Sequence, residues 1–128
     1  TYNFAAPSTN ELDSIFEFSG GGRDTLSFAN LTIPVTINLA NTANQLVHTD
    51  RTIKLNSNRH VENVMGGSND DILVGNVSDN ELNGKDGHDR LSGNNGNDTL
   101  RGGAGDDEYI FKNTPTGEVD SLIEAANQ

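Results

Sequence analysis

Cysteine is absent from the 128-residue chain, so neither a disulfide nor a thiolate zinc site can hold it together. Tryptophan is absent too, and hydrophobic residues make up only 32%. An ordinary hydrophobic core would therefore be thin, in what is one domain's worth of chain. Bases are scarce: 8 Lys and Arg face 19 acids, for a net charge of −11. That balance argues against nucleic acid, which needs a basic face, and against an anionic membrane surface. No apolar run reaches membrane-spanning length, which argues against membrane insertion. The first residues do not read as a signal peptide, so an export signal is expected elsewhere in a longer precursor, unless the chain was excised. Catalytic signatures are missing as well. There is no HExxH and no GxSxG, and His48, His60 and His88 are isolated. The acids could imitate a glycosidase carboxylate pair, but their spacing has a better explanation, and the chain is not expected to be an enzyme.

What is present is a register. Five nine-residue frames follow one another from Gly66 to Ile110 without an insertion: GGSNDDILV, GNVSDNELN, GKDGHDRLS, GNNGNDTLR and GGAGDDEYI. Glycine opens every frame, the sixth column reads Asp71, Asn80, Asp89, Asp98, Asp107, and the eighth reads Leu73, Leu82, Leu91, Leu100, Tyr109. SNRHVENVM (57–65) fits more weakly, with Glu62 and Val64 in those two columns. One apolar position in nine excludes an amphipathic helix. Each frame reads instead as a six-residue polar turn and a three-residue strand whose middle side chain points inward. The opening glycine is expected where φ is positive or where neighbouring coils approach too closely for a Cβ. In the fourth column Asn69 is a mild departure from Gly87, Gly96 and Gly105, because Asn tolerates the left-handed region; Ser78 is a worse one. Concentrated acid opposes a compact state, so folding and cation binding are expected to be coupled.

The segment resembles the haemolysin-type calcium-binding repeat of RTX proteins, pattern GGxGxDxUx. The resemblance covers about a third of the chain. It implies an all-β fold, a parallel β-roll of solenoid type, in which frames i and i+2 stack and calcium lies between stacked turns. The ligands it implies are the column-six side chains and turn carbonyls from Gly66, Gly67, Asn69, Gly84, Gly87, Gly93, Gly96, Gly102 and Gly105. Stepping by two frames sorts them into two flanks. Asp71, Asp89 and Asp107 form one, with two strong Ca2+ sites. Glu62, Asn80 and Asp98 form the other, with one weaker site at Asn80–Asp98. Oxygen-only coordination suits calcium.

Residues 12–56 read as further strands, LDSIFEF, TLSF, TIPVTINLA, QLVH and RTIKLN, with Pro34 confining one to an edge or bulge. They resemble the wider, metal-poor coils that precede tight rolls in serralysin-type secreted proteins. Asp24, after a glycine-rich turn (20–22) and with Asp13 or Glu17 nearby in sequence, is either another calcium ligand or a solvated carboxylate. Nothing helical is expected beyond a possible turn over 121–126. A longer period is also present: YNFAAPSTNELDSIFE (2–17) aligns without gaps on YIFKNTPTGEVDSLIE (109–124), 107 residues apart. Either two related end-caps are similar, or the chain is one period of an array plus an overhang. The organisation expected is N-terminal coils continuing from a preceding repeat (1–56), a calcium-binding roll (57–110) and a linking strand (111–128) that repeats 4–21.

The functional expectation is a calcium-dependent structural module of a repetitive, secreted or cell-surface bacterial protein, such as an adhesin, fibre or surface-layer component. Its partners would be calcium and tandem neighbours or further copies of itself. The alternatives are an accessory secretion and folding domain of a secreted RTX enzyme, or a calcium-dependent glycan-binding module. The shortage of aromatic residues weighs against the last.

Overall fold

The structure, a computed structural model, describes residues 1–4, 11–16, 22–112 and 117–125. Glu17 and the turn glycines Gly20 and Gly21 lie outside these residues. All the regular structure described is β: β1 (Tyr2–Asn3), β2 (Glu11–Ile15), β3 (Thr25–Ser27), β4 (Thr36–Asn38), β5 (Gln45–His48), β6 (Arg51–Leu55), β7 (Asn63–Met65), β8 (Ile72–Val74), β9 (Glu81–Asp86), β10 (Arg90–Ser92), β11 (Thr99–Ala104), β12 (Glu108–Tyr109) and β13 (Ser121–Ile123). No described helix is long and apolar enough to cross a membrane.

The nine-residue register becomes a parallel β-roll because successive frames alternate between two sheets. The six-stranded sheet runs β1-β3-β7-β9-β11-β13 and the four-stranded sheet runs β12-β10-β8-β4. Frames therefore stack on the next but one: Leu73 pairs with Leu91 and Leu91 with Tyr109, while Val64 pairs with Leu82 and Leu82 with Leu100. The three strand residues of each frame place one large apolar side chain inward, and Leu73, Leu82, Leu91 and Leu100 are completely buried; β9 and β11 run three residues further, into the next frame. Burial of each contributes on the order of 2 kcal/mol. The two apolar columns extend backwards through wider coils, Ile37 stacking on Leu73 and Leu26 on Val64. There the core broadens to include Phe4, Phe28, Leu31, Val35, Ile53 and Leu55. Phe4 and Phe28 stack with ring centroids 4.8 Å apart.

Two expectations about the strands are corrected. QLVH and RTIKLN are not successive coils: β5 and β6 pair antiparallel, in a separate three-stranded sheet of order β2-β6-β5. Only Thr49 and Asp50 separate them, too few residues for the crossover that a parallel pair needs. Residues 121–123, at the position of the expected helical turn, form β13 and pair with β11. The six-stranded sheet supplies Leu122 with a partner at Leu100, and that pairing overrides local preference.

Candidate metal centre

Each column-six side chain sits immediately before a strand, at the corner where a turn enters a sheet. There it first performs a task within the protein. One carboxylate oxygen of Asp71 accepts the buried N–H of Val35 at 2.8 Å, Asp89 accepts that of Asp71 at 2.8 Å, and Asp107 accepts that of Asp89 at 2.9 Å. On the opposite flank Glu62 accepts from Asp24, Asp98 from Asn80, and Asp120 from Asp98, at 2.8, 2.8 and 3.0 Å. Both flanks therefore carry a ladder in which each acid closes a backbone N–H of the coil before it. Asn80 breaks the second ladder. Its Oδ1 turns back to the N–H of Asn76 in its own frame (2.7 Å), while Nδ2 donates to the carbonyl of Glu62 (2.9 Å).

The second carboxylate oxygen distinguishes the frames. Asp71 Oδ2 accepts the N–H of Gly67 at 2.7 Å, so both of its oxygens are engaged. The Oδ2 atoms of Asp89, Asp98 and Asp107 are buried and accept no hydrogen bond. They point at the opening glycine of their own frames, where a Cβ on Gly84, Gly93 or Gly102 would collide with them. The first column is not left-handed; glycine is needed there for close approach, by the neighbouring coil's carbonyl as well as the frame's own side chain at Gly66 and Gly75, but by the frame's own carboxylate at Gly84, Gly93 and Gly102.

An ionised oxygen without water or a donor is costly. Burial pushes the Asp89 carboxyl up to about 7, opposed by the Asp71 N–H and reinforced by the neighbouring Asp71, Asp107 and Asp70 carboxylates. Burial likewise pushes Asp98 up to about 6, opposed by the Asn80 N–H and reinforced by Asp120, Asp79 and Glu118. Asp71 is also raised by burial, against the N–H groups of Gly67 and Val35.

Backbone conformation follows the same division. In the last three frames the fourth column is left-handed at Gly87, Gly96 and Gly105, and so is the second, at Lys85 (φ 91°), Asn94 (φ 73°) and Gly103 (φ 115°). Neither column is left-handed in the first two frames. Asn69 and Ser78 thus do not occupy a strained version of the glycine turn. Their turns take a different conformation, in which the second-column N–H closes on the column-six side chain. Left-handed backbone at Lys85 was not visible in the register, because a long β-unbranched side chain does not announce it, whereas Asn94 is of the type that tolerates it.

Other residues fall in place around these turns. The N–H of Asp24 is capped by Glu62, and its carboxylate lies 3.7 Å from the amino group of Thr1. Asp13 pairs with Arg51, on the three-stranded sheet rather than beside Asp24. His88 is exposed and accepts the N–H of Asp106 through Nδ1 at 3.0 Å. Asp120 is the column-six acid that the register missed, because residues 111–119 interrupt the nine-residue spacing. The available signal was the step Asp120-Ser121-Leu122, which repeats the sixth-to-eighth-column step Asp89-Arg90-Leu91. Among the described residues no three His, Cys, Asp or Glu side chains converge. A cation at an open Oδ2 would have to complete its shell with backbone carbonyls, and an all-oxygen set of carboxylate and carbonyl fits calcium rather than zinc.

The family model of the RTX calcium-binding nonapeptide repeat (4 copies) matches residues 65–100 and 83–110. Residues 65–110 are thus an RTX-type calcium-binding repeat segment, and calcium is the ligand that repeats of this class bind. Comparison with curated proteins gives no match.

Proposed function

We propose that the chain is a calcium-dependent structural module of a secreted or cell-surface bacterial protein, of adhesin, fibre or surface-layer type, with no catalytic role of its own. The observation that carries this reading is the set of three buried, unpartnered carboxylate oxygens, on Asp89, Asp98 and Asp107. They sit in the three frames whose turns are left-handed at both the second and the fourth columns. Asp89 and Asp107 serve one flank and Asp98 with Asp120 the other. Carbonyls of the frames opened by Gly84, Gly93 and Gly102 complete the shells. Asp71 then acts chiefly as a turn clamp, and Asn80 marks the flank's poorest position. Bound calcium supplies the positive charge that these desolvated oxygens lack. Without it the roll carries uncompensated acid on both flanks, so folding follows calcium. Extracellular calcium is plentiful enough for affinities of about 10⁻⁴–10⁻³ M to suffice.

A calcium titration followed together by circular dichroism and light scattering tests this. Gain of β signal at constant mass is expected for calcium-driven folding, and growth in mass would show self-association besides. An unchanged spectrum between chelator and millimolar calcium would overturn the reading.

A further inference from the structure

The two ends of the roll carry the same sequence in opposite circumstances. Phe4 is 6% exposed, stacked on Phe28 with the guanidinium of Arg51 5.2 Å above its ring. Its copy in the 107-residue period, Phe111, is 52% exposed. Ile15 is 3% exposed and pairs with Leu55, whereas its copy Leu122 is 44% exposed. Asp13 holds Arg51, while its copy Asp120 holds the N–H of Asp98.

The backbone shows the same complementarity. In a strand, the N–H and C=O of one residue point to one edge and those of the next residue to the other. At the C-terminal end, Ile110 and Ser121 donate to the earlier coil, at Leu91 O (2.8 Å) and Asp98 O (2.7 Å). At the N-terminal end, Phe4 donates to Ser27 O of the later coil (2.8 Å), and the Ile15 carbonyl accepts from Asn56 (3.0 Å). Shifted by one period, Phe4 falls on Phe111 and Ile15 on Leu122, each the neighbour of the residue already bonded. The two sets of hydrogen bonds therefore use opposite edges of one strand and never compete. Side chains agree: Asp120 Oδ1 faces the earlier coil, and the copy's carboxylate meets Arg51 of the later one.

We infer that the partner of this chain is a second copy of itself, continued in tandem so that Tyr109–Phe111 of one unit serves as Tyr2–Phe4 of the next, and 119–123 as 12–16. This rests on the structural-module reading above. The four-stranded sheet of one unit then runs through the shared strand into the six-stranded sheet of the next. The apolar column Ile37–Leu73–Leu91–Tyr109 continues as Leu26–Val64–Leu82–Leu100, and Leu122 meets the next Leu55. Exposed apolar edges at β12 and β13, which in an isolated domain invite aggregation, become interior.

The test compares an in-register fusion, residues 1–108 followed by 2–128, with a control in which two full copies, 1–128 and 1–128, are joined end to end. In calcium the in-register fusion should melt in one transition above that of the single chain. Amides of its shared strand should exchange at least about tenfold more slowly than either terminal copy does in the single chain. The control should melt as two independent single chains. Equal exchange at the junction, melting of the fusion at the single-chain temperature, or failure of the fusion to fold where the control folds would each overturn the shared strand. Calcium response of the single chain is read separately, so loss of that response would strike the module reading and leave the joint to be judged on exchange alone.

Discussion

Replacing Asp89 by Asn separates the two tasks of a column-six acid. Asn keeps an oxygen for the buried N–H of Asp71, which Asp89 accepts at 2.8 Å, but it removes the charge from an Oδ2 that has no partner. A carboxyl that burial holds at about 7 instead of 3.8 disfavours folding with the group ionised by about 4 kcal/mol at pH 8. In chelator at pH 8, Asp89→Asn should therefore raise stability by up to about that amount. The gain should shrink to about half a kcal/mol near pH 4, where the folded group is protonated and the unfolded one about half so. Asp89→Ala removes the same charge but leaves the Asp71 N–H without its acceptor, so it should fall about 1–3 kcal/mol below Asp89→Asn in every buffer. Both should respond less to calcium than the parent chain. The folded fraction by circular dichroism in chelator, and urea melts wherever the chain is folded, at pH 4 and pH 8 with and without calcium, give these differences. If Asp89→Asn is less stable than the parent in chelator at pH 8, the open oxygen is not a charge waiting for a cation.

The pH dependence of the unaltered chain follows the same sign. Asp89 and Asp98 are raised to about 7 and about 6, so their contribution is fully present below about pH 4 and is lost as pH rises through 6 to 7. Chelated chain should accordingly be more stable at pH 5 than at pH 8 in urea melts, and the opposite slope would contradict the burial argument. Asn80→Asp removes an Nδ2 that donates to Glu62 O and puts a carboxylate against that carbonyl. It should cost about 1–3 kcal/mol in chelator and recover part of the loss in calcium; equal loss in both buffers would show that the position cannot bind. Leu91→Ala empties a fully buried position between Leu73 and Tyr109 and should cost about 2–5 kcal/mol in calcium, measured by thermal melts.

The roll was legible because its period is strict. The eighth column named Leu73, Leu82, Leu91 and Leu100 as the inward side chains, and the step of two frames gave their stacking. The hairpin of β5 and β6 was not legible, since alternation marks a strand but not the direction of its partner. The ladders escaped notice for a different reason. An acid in the sixth column has one oxygen for the coil before it, and only distances reveal which oxygen remains. That is why Asp71 and Asp89, both sixth-column acids, differ in space: a turn closed by the Gly67 N–H consumes the oxygen that the left-handed turn at Lys85 leaves open. Asp120 was hidden by the interruption of the register after Ile110, although its N–H partner, Asp98, places it on the second ladder.

The central claim is that calcium occupies the turns holding the open oxygens. Anomalous difference density from crystals grown in calcium locates the ions without reference to any mutation. Peaks are expected beside Oδ2 of Asp89, Asp98 and Asp107, with none of comparable height at Asn80. Ions confined to the turn between Asp71 and Val35, or no peak at these three carboxylates in a fully folded chain, would contradict it.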